Sequence, residues 1–208
     1  MSTRCCNKRS RSDQRDWWPR RSGADSVARV PTTTDGSNDF FAVLTQDHAR
    51  FELRLQALLQ AADALSRNER SDADREVIVR TLDVFATEGA RHEELEESAL
   101  FPHLRPLPQF KQMLSALEFQ HRMNRTGAEQ LRACIDRFAP GSGAELRRLA
   151  QRFAEMHRAH ALGEERALFP LAAAALPPAT MAQLRRAWHE RNPAAGPMQE
   201  GPVQEEGR

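Results

Sequence analysis

Residues 92–102 read His-Glu-Glu-Leu-Glu-Glu-Ser-Ala-Leu-Phe-Pro, and residues 160–170 read His-Ala-Leu-Gly-Glu-Glu-Arg-Ala-Leu-Phe-Pro. Each copy opens on a histidine, sets two glutamates four and five residues on, and closes on Ala-Leu-Phe-Pro. Four residues make about one helical turn, so His92 shares a helix face with Glu96, and His160 with Glu164. No sustained alternation suggests strands, and Ala, Leu, Arg and Glu, all good helix formers, dominate. A carboxylate on an apolar helix face is costly unless something pairs with it. A chain that writes this phrase twice therefore has two equivalent helices facing a common partner.

Turn signals divide residues 39–176 into four long helices. The first is capped by Ser37, Asn38 or Asp39 and runs to about Ser66. The second starts at a capping box, Ser71 with Asp74, and ends at Pro102. The third runs from about Gln109 to Phe138 and stops at Pro140-Gly-Ser-Gly. The fourth runs from about Ala144 to Leu171. Short connections make neighbours antiparallel, so the expected fold class is all-α: an up-down-up-down four-helix bundle. A short docking helix over 177–191 follows, with Met181, Leu184 and Trp188 on one face. The segments 1–38 and 192–208 lack apolar periodicity and are expected to be disordered.

Each long helix carries an apolar stripe at spacings of three and four, and each stripe contains one histidine: His48, His92, His121 and His160. Ala99 and Leu171 close the second and fourth stripes. His48 lies early in its helix and His92 late in the next, which runs the other way, so both fall near one end of the bundle. His121 and His160 repeat that arrangement. Four imidazoles and two carboxylates, Glu96 and Glu164, then converge on one level. Nothing on the stripes is cationic, and Asn124 offers hydrogen bonds rather than charge. A metal centre turns this burden into binding energy. Glu93 and His157 flank the stripes as further candidate donors. Glu97 and Glu165 read as solvated, and His103 and His189 as surface residues. The closing Leu-Phe-Pro of each phrase is expected to end its helix and plug the core below the site.

Several function classes fall away. No run of 18 apolar residues is present, so no helix spans a membrane. Of the three cysteines, Cys5 and Cys6 are adjacent and Cys134 stands alone, which gives no disulfide framework and fits a reducing cytoplasm. Residues 1–30 hold eight Lys/Arg against three Asp, which leaves 22 basic and 26 acidic residues in the mildly acidic remainder. Contact with nucleic acid is confined to that arm, which reads as a solvated tail. The absence of tyrosine excludes a tyrosyl radical. Glu118-x-x-His121 occurs once, whereas ferritin-like oxidases use that pattern twice. Imidazole with carboxylate suits iron and leaves manganese and zinc open.

The pattern resembles the hemerythrin family, in particular the bacterial hemerythrin-like (HHE cation-binding) domains, over about residues 40–172. The resemblance rests on Gln46-Asp-His-Ala-Arg-Phe, Glu118-Phe-Gln-His-Arg and the two long phrases. It implies two non-haem Fe ions, bridged by an oxo or hydroxo group and by two carboxylates. By position the metal ligands are His48, His92, Glu96, His121, His160 and Glu164, with the two glutamates bridging. Two departures matter. Arg125 stands where the oxygen carriers have a second histidine, and Glu164 replaces an aspartate at wider spacing. The implied function is a cytoplasmic di-iron protein that binds oxygen or a related small ligand, peroxide or nitric oxide, for sensing, storage or protection. The alternatives are a di-iron enzyme that decomposes peroxide or reduces nitric oxide, and an iron store or sensor. No protein partner is legible.

Overall fold

The computed structural model describes residues 40–67 and 71–192. The disorder expected of 1–38 and of the tail past 192 lies outside the described residues, as do Cys5 and Cys6. Among the described residues every element is helical. The first run is α1, Phe40–Arg67. The second is α2, Asp72–Val84, a π turn at Phe85–Gly89, α3, Ala90–Leu95, a second π turn at Glu96–Leu100, and α4, Phe101–Leu104. A 3-10 turn at Pro108–Phe110 leads into α5, Lys111–Asp136. The fourth run is α6, Gly143–Gly163, a π turn at Glu164–Leu168, and α7, Phe169–Ala175. The last element is α8, Pro178–Arg191.

Ser71 caps α2 as its sequence pattern predicts, its hydroxyl accepting the Asp74 amide at 3.3 Å. Gly141, at φ 93°, makes the left-handed turn between the third and fourth runs. α1 packs on α2 and α6, and α5 packs on α6 and α2. Cross-helix pairs set the register. Arg158 holds Glu52 with two hydrogen bonds of 2.8 Å, and Arg147 lies 3.8 Å from Asp63. Arg125 reaches Glu93, and Arg132 reaches Asp83.

The two prolines do not end their helices, contrary to the sequence expectation. Helical geometry continues through Pro102 to Leu104 and through Pro170 to Ala175. The π turns explain this. Phe101 N–H bonds back to the Glu96 carbonyl, and Phe169 N–H to the Glu164 carbonyl, five residues earlier in each case. The next π-spaced donor would be the proline nitrogen, which has no hydrogen, so the wide turn stops there. The extra residue also rotates the buried face by one position. Leu100 and Leu104 are fully buried where the plain stripe expects Ala99, which is only partly buried. Leu168 and Ala172 are fully buried, whereas Leu171 is 49% exposed.

The core falls into two apolar halves with a polar level between them. One half gathers Phe40, Leu44, Phe101, Leu114, Phe169 and Leu184. The other gathers Phe51, Leu58, Ile78, Leu82, Ile135 and Phe153. α8 closes the first half with Leu184 buried and with Met181 and Trp188 packed against it, the face expected of it.

Two glycines at either end of α6 are expected to respond oppositely to alanine. A Cβ on Gly143 would stand 2.7 Å from the Ser66 Cα and 3.2 Å from the Leu65 carbonyl oxygen, so the end of α1 must shift. Gly143→Ala should cost about 1–3 kcal/mol by overpacking. A Cβ on Gly163 meets nothing within 4 Å. Gly163→Ala should gain roughly 0.5–1 kcal/mol from the lower backbone entropy of alanine. Thermal melts of both variants check the pair.

Candidate metal centre

The polar level consists of His48, His92, Glu96, His121, Asn124, His160 and Glu164, none more than 8% exposed. The structure thus brings together all six residues singled out by spacing. One ligand atom from each of Glu96, His121, His160 and Glu164 lies within 4.8 Å of the others, and the same holds for His48, His92 and Glu164. Glu164 belongs to both groups. It approaches His48 Nε2 at 3.2 Å with Oε2, and His160 Nε2 at 3.3 Å with Oε1. Glu96 spans the same two sides, 3.6 Å from His92 Nε2 and 3.4 Å from His121 Nε2.

Each imidazole is held from outside by an oxygen on a neighbouring helix. His48 Nδ1 donates to Glu165 at 2.9 Å, and His121 Nδ1 donates to Glu97 at 2.7 Å. His92 Nδ1 donates to Asp47 at 3.3 Å, and His160 Nδ1 donates to the Gln120 side-chain oxygen at 3.2 Å. These oxygens accept, which places the hydrogen on Nδ1 and turns the Nε2 lone pair inward. His48 Nε2 and His92 Nε2 lie only 3.1 Å apart. Both oxygens of Glu96 and of Glu164, with Nε2 of His121 and of His160, are buried without a hydrogen-bond partner. So many converging acceptors without a donor fit metal cations.

The repeated phrase now reads in full. Its histidine and first glutamate face inward. Its second glutamate orients the histidine of another run, Glu97 on His121 and Glu165 on His48. Its phenylalanine stacks on that same histidine: Phe101 on His121 at 6.0 Å and 8°, Phe169 on His48 at 6.0 Å and 9°. Glu97 and Glu165 are therefore partly buried supports rather than the solvated residues expected from sequence. Asp47 and Gln120, which sequence reasoning passed over, each directly precede a stripe histidine. The two halves differ there by one charge, a carboxylate against a neutral amide.

Burial alone would raise the Glu96 carboxyl, but His92, His121 and His48 pull it below its ordinary value. Burial and repulsion from Glu96 hold Glu164 well above its ordinary value. Two carboxylates cannot both ionise in a dry site without compensating cations. Burial, with the neighbouring imidazoles, keeps His160 well below its usual range and His48 low, so both present free lone pairs at neutral pH. Burial lowers His92 and His121, but the combined pull of Glu96 and Asp47 on the first, and of Glu96, Glu93 and Glu97 on the second, raises both.

Of the two further candidate donors, Glu93 is buried and accepts a 2.6 Å hydrogen bond from Arg125. Arg125 also lies 3.8 Å from Glu97, so its charge is spent on two carboxylates. His157 packs between Phe85 and Phe153, each ring 4.5 Å away, and stands in neither ligand group. Burial, then repulsion from His92, His121 and His48, lowers its pKa to about 3.

His157 is expected to make the metal-free fold sensitive to acid. Its unfolded value is 6.5, so below that pH the unfolded chain takes up a proton that the folded chain refuses until about pH 3. Stability from this group is complete above pH 6.5 and is lost as pH falls toward 3. The full linkage would be about 4–5 kcal/mol, and access to the adjacent cavity reduces it to roughly 2–4 kcal/mol. His157→Phe should flatten the loss over that window in metal-free protein, as read from urea midpoints at pH 7, 5 and 4. Parallel curves for variant and wild type would show that the imidazole titrates freely.

The model of the hemerythrin HHE cation binding domain matches residues 39–172, from the start of α1 into α7. No curated protein matches the chain at a significant level.

Proposed function

Because the chain belongs to the hemerythrin HHE cation-binding family, we propose that its His/Glu cluster holds two iron ions and binds oxygen, peroxide or nitric oxide. The single observation that carries this reading is the pair of ligand groups joined by Glu164. In this reading His48 and His92 serve one ion, His121 and His160 the other, and Glu96 and Glu164 bridge them. The four runs form an antiparallel up-down-up-down bundle around the pair. The order of the cross-helix contacts supports that topology, since partners of α1 on the fourth run fall in number as α1 rises.

Iron held in this way supplies reversible one-electron exchange with a small oxygen or nitrogen ligand. The chain's own residues do the rest. Asp47, Glu97, Gln120 and Glu165 orient the imidazoles and make them stronger donors. Phe101 and Phe169 cover one side of the level and exclude water from it. With only two histidines and shared carboxylates to hold each ion, the residues would leave room for a small ligand. That openness favours a second reading, an enzyme that decomposes peroxide or reduces nitric oxide. The protein would act in the cytoplasm, with the small ligand as its partner.

Metal analysis of protein purified without added metal tests the first reading, with two irons per chain expected. His92→Ala and His160→Ala should each lower that number to one or none. One zinc per chain, or full iron in both variants, overturns it. Sustained peroxide turnover without loss of iron selects the enzyme. A reversible, ligand-dependent spectral change without turnover selects the binder.

A further inference from the structure

The polar level is covered on one side by Phe101 and Phe169, but its other side opens on a cavity of about 600 Å³. His48, His92 and His160 form part of its wall, Phe51, Leu55, Phe85, Ala128 and Phe153 give it an apolar stretch, and charged side chains such as Glu93 and Arg125 also line it. Its lining includes the exposed residues Glu129 and Arg158, so it reaches solvent. A diatomic ligand needs little more room than a water molecule, about 30 Å³ in the liquid. The cavity instead falls in the range of roughly 300–1,000 Å³ that holds medium-sized organic ligands.

One polar group in this wall is unexplained by the metal centre. Asn124 is 2% exposed, and neither its Oδ1 nor its Nδ2 has a hydrogen-bond partner. Leaving a buried donor and acceptor unsatisfied costs about 1–3 kcal/mol for each group. The pseudo-symmetric position, three residues after His48, is Phe51, which packs edge-on against His92 at 5.6 Å. Three residues before His92 stands Gly89, where the other half has His157. Phe51, Gly89, Asn124 and His157, all in the lining, are thus places where the two halves differ, and an amide sits in one of them.

We propose that this cavity binds an apolar organic molecule carrying one amide-like group, whose carbonyl accepts from Asn124 Nδ2 and whose N–H donates to Oδ1. The apolar body lies against Phe51, Phe85 and Phe153, beside the imidazoles of the metal level. The site is made of protein atoms and does not depend on which metal the centre holds.

The test uses full-length protein as purified and two fluorescent probes, naphthalene-1-carboxamide and 1-methylnaphthalene, titrated to equilibrium. Saturable binding of one carboxamide per chain is expected. Asn124→Leu should weaken the carboxamide about tenfold, the worth of one to two hydrogen bonds, and change the hydrocarbon by less than twofold. Ala128→Phe narrows the cavity one helical turn from Asn124 and should weaken both strongly. Ala128→Leu should weaken both in part, and circular dichroism establishes that each variant is folded. No saturable binding to wild type, undiminished binding to folded Ala128→Phe, or equal losses of the two probes in Asn124→Leu would each overturn the proposal. Metal content is measured on the same samples. Protein without iron that still binds the carboxamide sinks the di-iron reading and leaves the cavity site standing.

Discussion

Glu164→Gln is expected to remove both metals, whereas His48→Ala or His121→Ala should cost mainly one. Glu164 alone belongs to both ligand groups and sends one oxygen toward each. An amide keeps the volume but donates where a donor is unwanted and carries no charge. A metal at 1,000 times its dissociation constant stabilises the fold by about 4 kcal/mol. For a chain of this size that corresponds to a melting temperature lower by roughly 8–16 °C in the variant. Metal-free protein should show the reverse order. The Glu164 carboxyl is held well above its unfolded value of 4.5, so its neutral form is favoured in the fold. Its contribution is present below pH 4.5 and is lost as pH rises. Relative to metal-free Glu164→Gln, metal-free wild type should therefore lose stability as pH rises above 4.5, and the variant should melt higher at pH 7. Melts with and without chelator, beside metal analysis, give both comparisons. Two tightly held metals in Glu164→Gln would refute the shared-ligand geometry.

Glu97→Ala and Glu165→Ala should each lower metal affinity by about 10–100-fold without altering any of the six inward His and Glu side chains. Each variant leaves a histidine Nδ1 without its acceptor, His121 in the first and His48 in the second. The ring can then rotate or change tautomer. Glu97→Ala is expected to be the more damaging. The only other support in its half is the neutral Gln120, whereas Asp47 continues to support the half that contains His48. Gln120→Glu in the Glu97→Ala background should recover part of the loss. Competition with a chromogenic chelator measures all three. Affinities unchanged in both single variants would mean that packing by Phe101 and Phe169 alone fixes the imidazoles.

Much of this centre was legible because helical geometry converts spacing into direction. His at one position and Glu four residues on must share a face, and a charged face with no cation calls for a metal. The same periodicity located α1, α5 and α6, the helical segments around the second phrase and the apolar face of α8. It failed at Ala99 and Leu171. A π turn adds a residue that no stripe records, and Pro102 and Pro170 look like stops until the preceding turn has widened. Asp47 and Gln120 escaped notice, and Glu97 and Glu165 read as solvated, because a polar side chain beside a stripe looks the same in sequence whether it meets water or an imidazole of another helix.

The sequence by itself determined the all-helical character, the family, and the six inward residues, since each depends on contacts within one helix or on a motif written twice. Tertiary structure decided which oxygen orients which imidazole, that Arg125 is spent on Glu93, and that a large cavity with an unpaired amide lies beside the metal level. Those outcomes depend on the rotation and register of separate helices against one another. They are set by how whole apolar faces pack, and no local spacing encodes them.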